Sequence, residues 1–295
     1  MSSSALSPDM PLSDPRLSAL ADEVGTALAG VRRLGVAFSG GVDSTLLLAL
    51  AVRTLGAERV VAITGVSPSL ARRELAAARR LASALGVEHV ELETAEADLP
   101  EYRRNDLDRC FHCKSTLFEG IDHRLLASYG LDAIAYGETA DDVVRDDRPG
   151  ARAADEHSVL RPLATAGLGK TDIRALARAL GLPNADKPAA PCLASRIPHH
   201  SEVTPQKLRQ VEEAEDALHD LGLTELRVRH HGDLASIEVP LDLLGVVATE
   251  LRERVLTAVR AAGFRSVTLD LAGFSSGQLF QIGMARAGQG EGARR

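Results

Sequence analysis

The stretch LGVAFSGGVDSTLLLALAV, Leu34 to Val52, decides the fold. Leu34 to Phe38 is a short apolar run of the kind that forms a buried parallel strand, and Thr45 to Val52 continues as an apolar helix. Between them stand two glycines, two serines and an aspartate. Glycines let the chain bend tightly and let a ligand approach the backbone, and the start of a helix offers unpaired N–H groups to an anion. A phosphate is the expected guest.

Outward from this loop, strands and helices alternate. A helix over Leu17–Leu28 precedes the loop. After it come a strand in RVVAITGV (59–66), a helix over Ser69–Leu85, a strand in EHVELET (88–94), a helix over Lys114–Ser128 and a strand in DAIAYGE (132–138). Strands separated by helices of this length imply an α/β fold with a doubly wound parallel sheet and right-handed crossovers. Ligands of such sheets sit beyond the strand C-termini where strand order reverses, so Ser39–Ser44, Gly65 and Gly137–Asp142 are expected to converge there. The pattern breaks at IPHHSEVTP (197–205). A helix over Gln206–Leu221 follows, then LTELRVRHHGDLASIEV (223–239), read as two strands joined at His231-Gly232-Asp233. A helix over Asp242–Ala261 and a strand in SVTLDL (266–271) complete a small α+β domain. The expected organisation is a nucleotide domain over 15–200, a substrate or oligomerisation domain over 201–282, and disordered tails at 1–14 and 283–295.

The 295 residues are 45% hydrophobic but only 3% aromatic, without tryptophan, so the core is built from leucine, valine and alanine. A formal net charge of -7 argues against a dedicated nucleic-acid surface. No apolar run is long enough to span a membrane, and the N-terminus lacks a basic region followed by an apolar core. Three cysteines, an odd number, make a disulfide framework improbable and point to a reduced cytoplasm.

SGGVDS lacks the Lys-Ser/Thr ending of a Walker A loop and the G-x-G-x-x-G of a dinucleotide fold. It resembles the pyrophosphate loop of the ATP pyrophosphatases (PP-loop superfamily), a group that includes GMP synthetases, NAD synthetases and tRNA thiolases. The resemblance implies cleavage of ATP to AMP and pyrophosphate with adenylation of the substrate. It makes Ser39, Gly40, Gly41 and Ser44 the cradle for pyrophosphate and Asp43 a Mg²⁺ ligand that offsets the developing charge. YGETADD (Tyr136–Asp142) resembles a second segment of that superfamily and brings Gly137, Asp141 and Asp142 toward metal or nucleotide, although adjacent loop carboxylates are as readily just solvated. In RPLATAGLGKTDIRALARALGLP, Lys170 is expected near phosphate and Arg174 on a helix surface.

Cys110 and Cys113 form RCFHCK, and Cys192 sits in PAAPCLASRIP. A soft thiolate triad suits an iron–sulfur cluster with one open iron, or zinc completed by another ligand. A redox pair at Cys110 and Cys113 is the third reading, and His112 between them is expected to be a bystander. KPAAPCLASRIP after a pyrophosphatase domain, followed by LRVRHHGDLASIEV, resembles the ATP-dependent sulfur transferases of the LarE family, over residues 15 to 280.

That resemblance implies conversion of pyridinium-3,5-biscarboxylic acid mononucleotide to its thiocarboxylate, on the way to the nickel-pincer cofactor of lactate racemase. It makes Cys192 the sulfur-bearing position. In some members that cysteine surrenders its own sulfur and becomes dehydroalanine; in others three cysteines hold a [4Fe-4S] cluster that carries added sulfide. Cys110, Cys113 and Cys192 match the second pattern and are then expected to lie close together. Ser195 and Arg196 are implied contacts of the substrate phosphate, and Glu215 and Glu238 match acidic positions near substrate or metal. Arg227 and Arg229 alternate on one strand face, a spacing suited to clamping phosphate or carboxylate. Glu215 also reads as part of an acidic helix face, Glu238 as a solvent-facing strand residue, and His230 and His231 as surface turn residues.

The implied cofactors are ATP, Mg²⁺ and a [4Fe-4S] cluster. The implied partners are a small mononucleotide, sulfide or another sulfur donor, and further copies of the chain in a homo-oligomer. A tRNA thiolase is the nearest rival, opposed by the acidic balance, sparse aromatics and lack of flanking cysteine-rich modules. An amide-forming synthetase does not need the cysteines, and a non-catalytic nucleotide or iron–sulfur scaffold stays open.

Overall fold

Strand β1 (Leu34–Ala37) runs through the middle of a four-stranded sheet, and its neighbours determine where a ligand can sit. With β2 (Val60–Val66), β3 (Glu88–Glu93) and β4 (Ala133–Tyr136) it forms a parallel sheet of order β3-β2-β1-β4. The chain moves from β1 to β2 and β3 on one side, then returns to add β4 on the other. Strand order therefore reverses between β1 and β4. The computed structural model describes Leu6, residues 10–143 and residues 149–274. The expected tail at 283–295 lies outside the described residues. Within the expected tail at 1–14, the Leu6 N–H donates to the Ala84 carbonyl and the Met10 carbonyl accepts from Arg53.

Helices α1 (Pro15–Ala27), α2 (Val42–Leu55), α3 (Arg72–Ala84), α4 (Arg109–Arg124), α5 (Pro149–Glu156) and α6 (Lys170–Ala179) cover both faces of this sheet. The two-residue period of the strands shows why. In β2, Val60 and Ala62 pack with α1, α2, α3 and α6, while Val61 and Ile63 pack with α4 and α5. Leu46, Leu47, Leu48 and Leu50 of α2 are all buried, so that helix is sequestered nearly all round. The doubly wound α/β architecture expected from the sequence is present. Helix α4, however, starts at Arg109 rather than Lys114, which places C-x-x-C inside its first turns. Helix α3 starts at Arg72, with Ser67–Ser69 forming a turn held by the two serine hydroxyls.

The chain divides into two compact units: residues through Glu96 with Asp108–Ala190, and Ala97–Leu107 with the chain from Pro191 onward. The division thus falls earlier than the interruption at 197–205. It also assigns a short excursion to the second unit. Asn105, fully buried with φ of 59°, accounts for that excursion: its side-chain N–H groups donate to the carbonyls of Ile197, Pro198 and Ser201 at 3.2, 2.8 and 3.0 Å.

In the second unit, α7 (Pro205–Asp220) begins with Thr204 capping the Lys207 N–H and proline in the first position. Strands β5 (Arg227–His231) and β6 (Leu234–Glu238) pair antiparallel across a two-residue turn in which Gly232 takes φ of 68°, and β7 (Ser266–Leu269) adds parallel to β6 after α8 (Arg252–Ala261). The single helix expected over 242–261 is interrupted. Thr249 bonds back to the Gly245 carbonyl, and the chain restarts as α8 after Leu251.

His230 is not a surface turn residue. It is buried, shares a hydrogen bond of 3.1 Å with Gln210 Oε1 and lies edge-on to Phe264; His231 is exposed as expected. Burial, then the Lys207 charge, push the His230 pKa below its usual value. The unfolded chain accordingly takes up a proton near pH 6.5 that the fold resists, so stability falls as pH drops through about 6.5 and levels off above it. His89, also lowered chiefly by burial, adds to the same slope. Urea denaturation between about pH 8 and pH 5 is expected to show this loss, with a shallower slope in His230→Gln.

Candidate active site

The SGGVDS loop leaves the C-terminal end of β1 and enters α2 at Gly41. Gly40 takes φ of 71°, and a Cβ there would lie 3.3 Å from Ala78 Cα. Gly41 is the N-cap and carries no side chain to cover the first N–H groups of α2. The loop is held from within: Ser39 and Ser44 hydroxyls lie 3.2 Å apart, and Ser44 Oγ donates to the Gly41 carbonyl at 3.1 Å. Gly137, just past β4, passes so near that a Cβ would lie 2.9 Å from Ser44 N and 3.0 Å from the Asp43 carbonyl carbon. The switch point between β1 and β4 therefore closes only around glycine.

Acidic and basic groups gather on this loop. Lys170 Nζ lies 2.5 Å from Asp43 Oδ2, and the Lys170 backbone N–H donates to Asp141 Oδ2 at 2.6 Å, so Asp141 caps α6. Asp142 instead accepts from the Thr139 N–H at 3.2 Å and stabilises its own turn. Arg174 is half-buried on α6, and its guanidinium donates to the Ala185 and Lys187 carbonyls. Asp43 Oδ1, Glu138 Oε1, Thr139 Oγ1 and Asn184 Oδ1 are buried oxygens without a protein hydrogen bond. Such groups are costly unless a ligand or ion completes them. Mg²⁺ takes one or two carboxylates and fills its remaining positions with water and substrate phosphate. A single inward carboxylate oxygen beside an uncapped helix start fits that requirement for ATP and Mg²⁺.

The second unit holds another charged cluster. Arg196 Nε and Nη2 meet Glu215 at 2.9 and 3.1 Å, and Arg229 Nε and Nη2 meet Glu238 at 2.7 and 3.0 Å. All four side chains are buried, so Glu238 is not a solvent-facing strand residue and Glu215 is not part of an acidic helix surface. Arg227, opposite Glu238 in the hairpin register, is also buried, with its guanidinium over the Phe274 ring. Burial first, then the charges of Arg229 and Arg196, push its pKa down to about 10. It remains a cation at neutral pH in a neighbourhood that favours an anion.

Cys110 and Cys113 sit three residues apart in the first turns of α4, on the same side of the helix; Cys110 is exposed and Cys113 half-buried. Cys192 is exposed in the second unit, capping the 3-10 turn Leu193–Arg196. His112 pairs with Asp108 at 3.3 Å. Within neither unit do three His, Cys, Asp or Glu side chains come together as a metal site among the described residues.

The family model described as asparagine synthase matches residues 17–235. The pyridinium-3,5-bisthiocarboxylic acid mononucleotide synthase of Lactiplantibacillus plantarum is 36% identical over 255 residues, 86% of this chain and 91% of that protein. The chain belongs to the LarE-type ATP-dependent sulfur transferases of the PP-loop superfamily. An uncharacterized protein of Synechocystis is 42% identical over 249 residues, covering 84% of this chain and 91% of its own. An uncharacterized protein of Methanocaldococcus jannaschii is 28% identical over 240 residues, covering 81% and 90%. No helix among the described residues is long and apolar enough to cross a membrane.

For a LarE-type enzyme the structure adds a residue that motif reading missed. Asn184, in the unremarkable run LPNADKP, is buried and donates to the Gly40 carbonyl at 3.0 Å and to Thr45 Oγ1 at 2.9 Å. It fastens the pyrophosphate loop to the first turn of α2 from a position 139 residues beyond Thr45. Only its lone polarity between Pro183 and Ala185 hinted at a buried role. Losing two hydrogen bonds of about 1 kcal/mol each should weaken ATP binding roughly tenfold or more in Asn184→Ala. Calorimetric titration with ATP, alongside an unchanged far-ultraviolet dichroism spectrum, checks this.

Proposed function

We propose that the protein converts a carboxylate of pyridinium-3,5-biscarboxylic acid mononucleotide to a thiocarboxylate by adenylation followed by sulfur displacement. The observation that carries this reading is the 36% identity, over 86% of the chain, to a protein named as the synthase of the bisthiocarboxylic product. A carboxylate oxygen attacks the α-phosphorus of ATP and pyrophosphate leaves. A sulfur nucleophile then attacks the acyl carbon, and AMP leaves with its oxygen.

The residues of the first unit suit the first step. Ser39, Ser44 and the N–H groups of Gly40, Gly41 and the start of α2 receive the leaving pyrophosphate. Asp43 holds Mg²⁺ through the oxygen that no protein group satisfies, and Lys170 can shift from Asp43 toward phosphate. Gly137 keeps the floor low enough for phosphate to reach those N–H groups, and Asp141 and Asp142 fix Lys170 and the turn after β4. In the second unit, Arg227 recognises the mononucleotide's phosphate or second carboxylate together with the Ser195 hydroxyl, while the Arg196–Glu215 and Arg229–Glu238 pairs form the charged surround of that site.

The sulfur step uses Cys192. Three thiols are the soft donor set that an iron–sulfur cluster with one open iron requires, and Cys110, Cys113 and Cys192 supply that number. When bound, such a cluster would supply sulfide to the acyl carbon and spare the protein's own sulfur. If Cys192 acted alone, its thiolate would form the thioester, a base would take its Cα proton, and the Cβ–S bond would break to leave dehydroalanine and the thiocarboxylate. The reaction is proposed to occur in the cytoplasm, in a homo-oligomer, without nucleic acid.

Two outcomes follow. Incubation with ATP, Mg²⁺ and the mononucleotide should yield AMP and pyrophosphate, and Asp43→Ala should lose about 10²-fold or more of this activity with the fold intact; ADP as the product overturns the reading. Each of Cys110→Ala, Cys113→Ala and Cys192→Ala should lose iron and multiple turnover after anaerobic preparation. If Cys110→Ala and Cys113→Ala stay active while turned-over wild-type protein is lighter by the elements of H₂S at Cys192, the sacrificial route holds instead.

A further inference from the structure

A guanidinium has five N–H donors on three nitrogens, and every nitrogen of Arg196 is already bonded inside the second unit. Nε and Nη2 serve the two oxygens of Glu215, while Nη1 faces the carbonyls of Pro191 at 2.5 Å and Cys192 at 3.3 Å and the Ser195 hydroxyl at 3.0 Å. Both charged side chains are less than a tenth exposed. A substrate phosphate reaching Arg196 would have to break these bonds in a desolvated place. What Arg196 touches is instead the backbone on either side of the Cys192 sulfur. Glu215 accepts a third hydrogen bond from the Val228 N–H at 3.0 Å, which ties the pair to β5. From β5 itself, Arg229 Nη1 donates to the Ser195 carbonyl at 2.9 Å while its fork is held by Glu238. The carbonyls of Pro191 and Cys192 and that of Ser195 in the following turn are thus held by two buried ion pairs, and the Cys192 side chain is exposed between them.

We infer that the Arg196–Glu215 pair, assisted by Arg229–Glu238 through Ser195, is a positioning device for Cys192 and that Arg196 does not bind the substrate. This deepens the proposed function and rests on Cys192 taking part in the sulfur step. A thiolate displaced by about 1 Å from its line of attack costs on the order of 10²-fold in rate. Lysine cannot replace the arginine, because one ammonium cannot hold a carboxylate in two places and reach the 191 and 192 carbonyls as well.

The test uses the full chain with Arg196→Lys and Glu215→Gln. Both variants should lower kcat for thiocarboxylate formation by about 10²-fold while the KM for the mononucleotide changes by no more than about twofold. Mononucleotide-dependent exchange of pyrophosphate into ATP should persist, since adenylation precedes the step that needs Cys192. Amide hydrogen exchange over 193–196 should speed up in both. A rise of about tenfold or more in KM for Arg196→Lys, with amide exchange unchanged, would make Arg196 a substrate ligand and overturn the inference. Should wild-type protein show no pyrophosphate exchange, the functional reading fails, and amide exchange alone decides whether the clamp exists: unchanged rates in both variants refute it. If either variant does not fold, the paired replacement Arg196→Met with Glu215→Leu removes both charges together, and the same faster exchange over 193–196 is expected from it.

Discussion

Helix α2 follows Gly41, whose lack of a side chain leaves the first N–H groups without a side-chain cap, and the arrangement of the first unit follows from keeping that end open. An uncapped helix start carries partial positive charge and unsatisfied donors, both of which an anion relieves. Placing it at the reversal of strand order leaves a crevice, but only if the strand on the other side can come close. Gly137 makes that approach possible by presenting no Cβ to Ser44 N. Asn184, through the Gly40 carbonyl and Thr45 hydroxyl, and the Ser39–Ser44 contact then hold the loop in place.

The sheet and its loop were legible in the sequence because both rest on local rules. Alternating burial of Val60, Val61, Ala62 and Ile63 is a two-residue pattern, and SGGVDS between a strand and a helix is a contiguous signal. What was not legible depends on partners far along the chain. Asn184 acts on Gly40 across 144 positions, and Asn105 joins the second unit through carbonyls more than 90 residues away. Neither lies in a patterned run. The same holds for the pairing of Arg196, Arg229, Glu215 and Glu238: family resemblance and strand spacing marked them as candidates for a ligand, but neither shows that each arginine is met by a glutamate. His230 fails for a related reason. A histidine pair beside Gly-Asp looks like a turn, yet the strand continues to His231 and alternation turns the first of the two inward, toward Gln210 and Phe264.

Buried ion pairs are a poor way to gain stability, since removing two charges from water costs several kcal/mol per ion and well-packed apolar residues often do as well. Two such pairs within one small unit therefore call for a reason other than stability. Their geometry supplies one: each pair keeps a fork of donors fixed and points the remaining nitrogen at a carbonyl of the turn that carries Cys192. Leucine and methionine in the same volume would fill the space but hold no carbonyl. The cost in desolvation is offset by a backbone whose position is set at several points.

The two charged clusters differ in a way that matches what each is proposed to do. The Lys170–Asp43 pair is partly open to solvent, with side chains 48% and 26% exposed, whereas Arg229 and Glu238 are 6% and 3% exposed. A half-exposed ammonium exchanges partners at little cost, because water screens both the bond it leaves and the bond it makes. That suits the role proposed for Lys170, facing an arriving triphosphate and a departing pyrophosphate. A buried guanidinium fork resists the same exchange, since each broken bond leaves a desolvated charge behind. In the proposed reaction the groups that let go of their ligand are thus lysine, hydroxyls and backbone N–H at an open edge, and the groups proposed to keep Cys192 still are arginine and glutamate buried away from water.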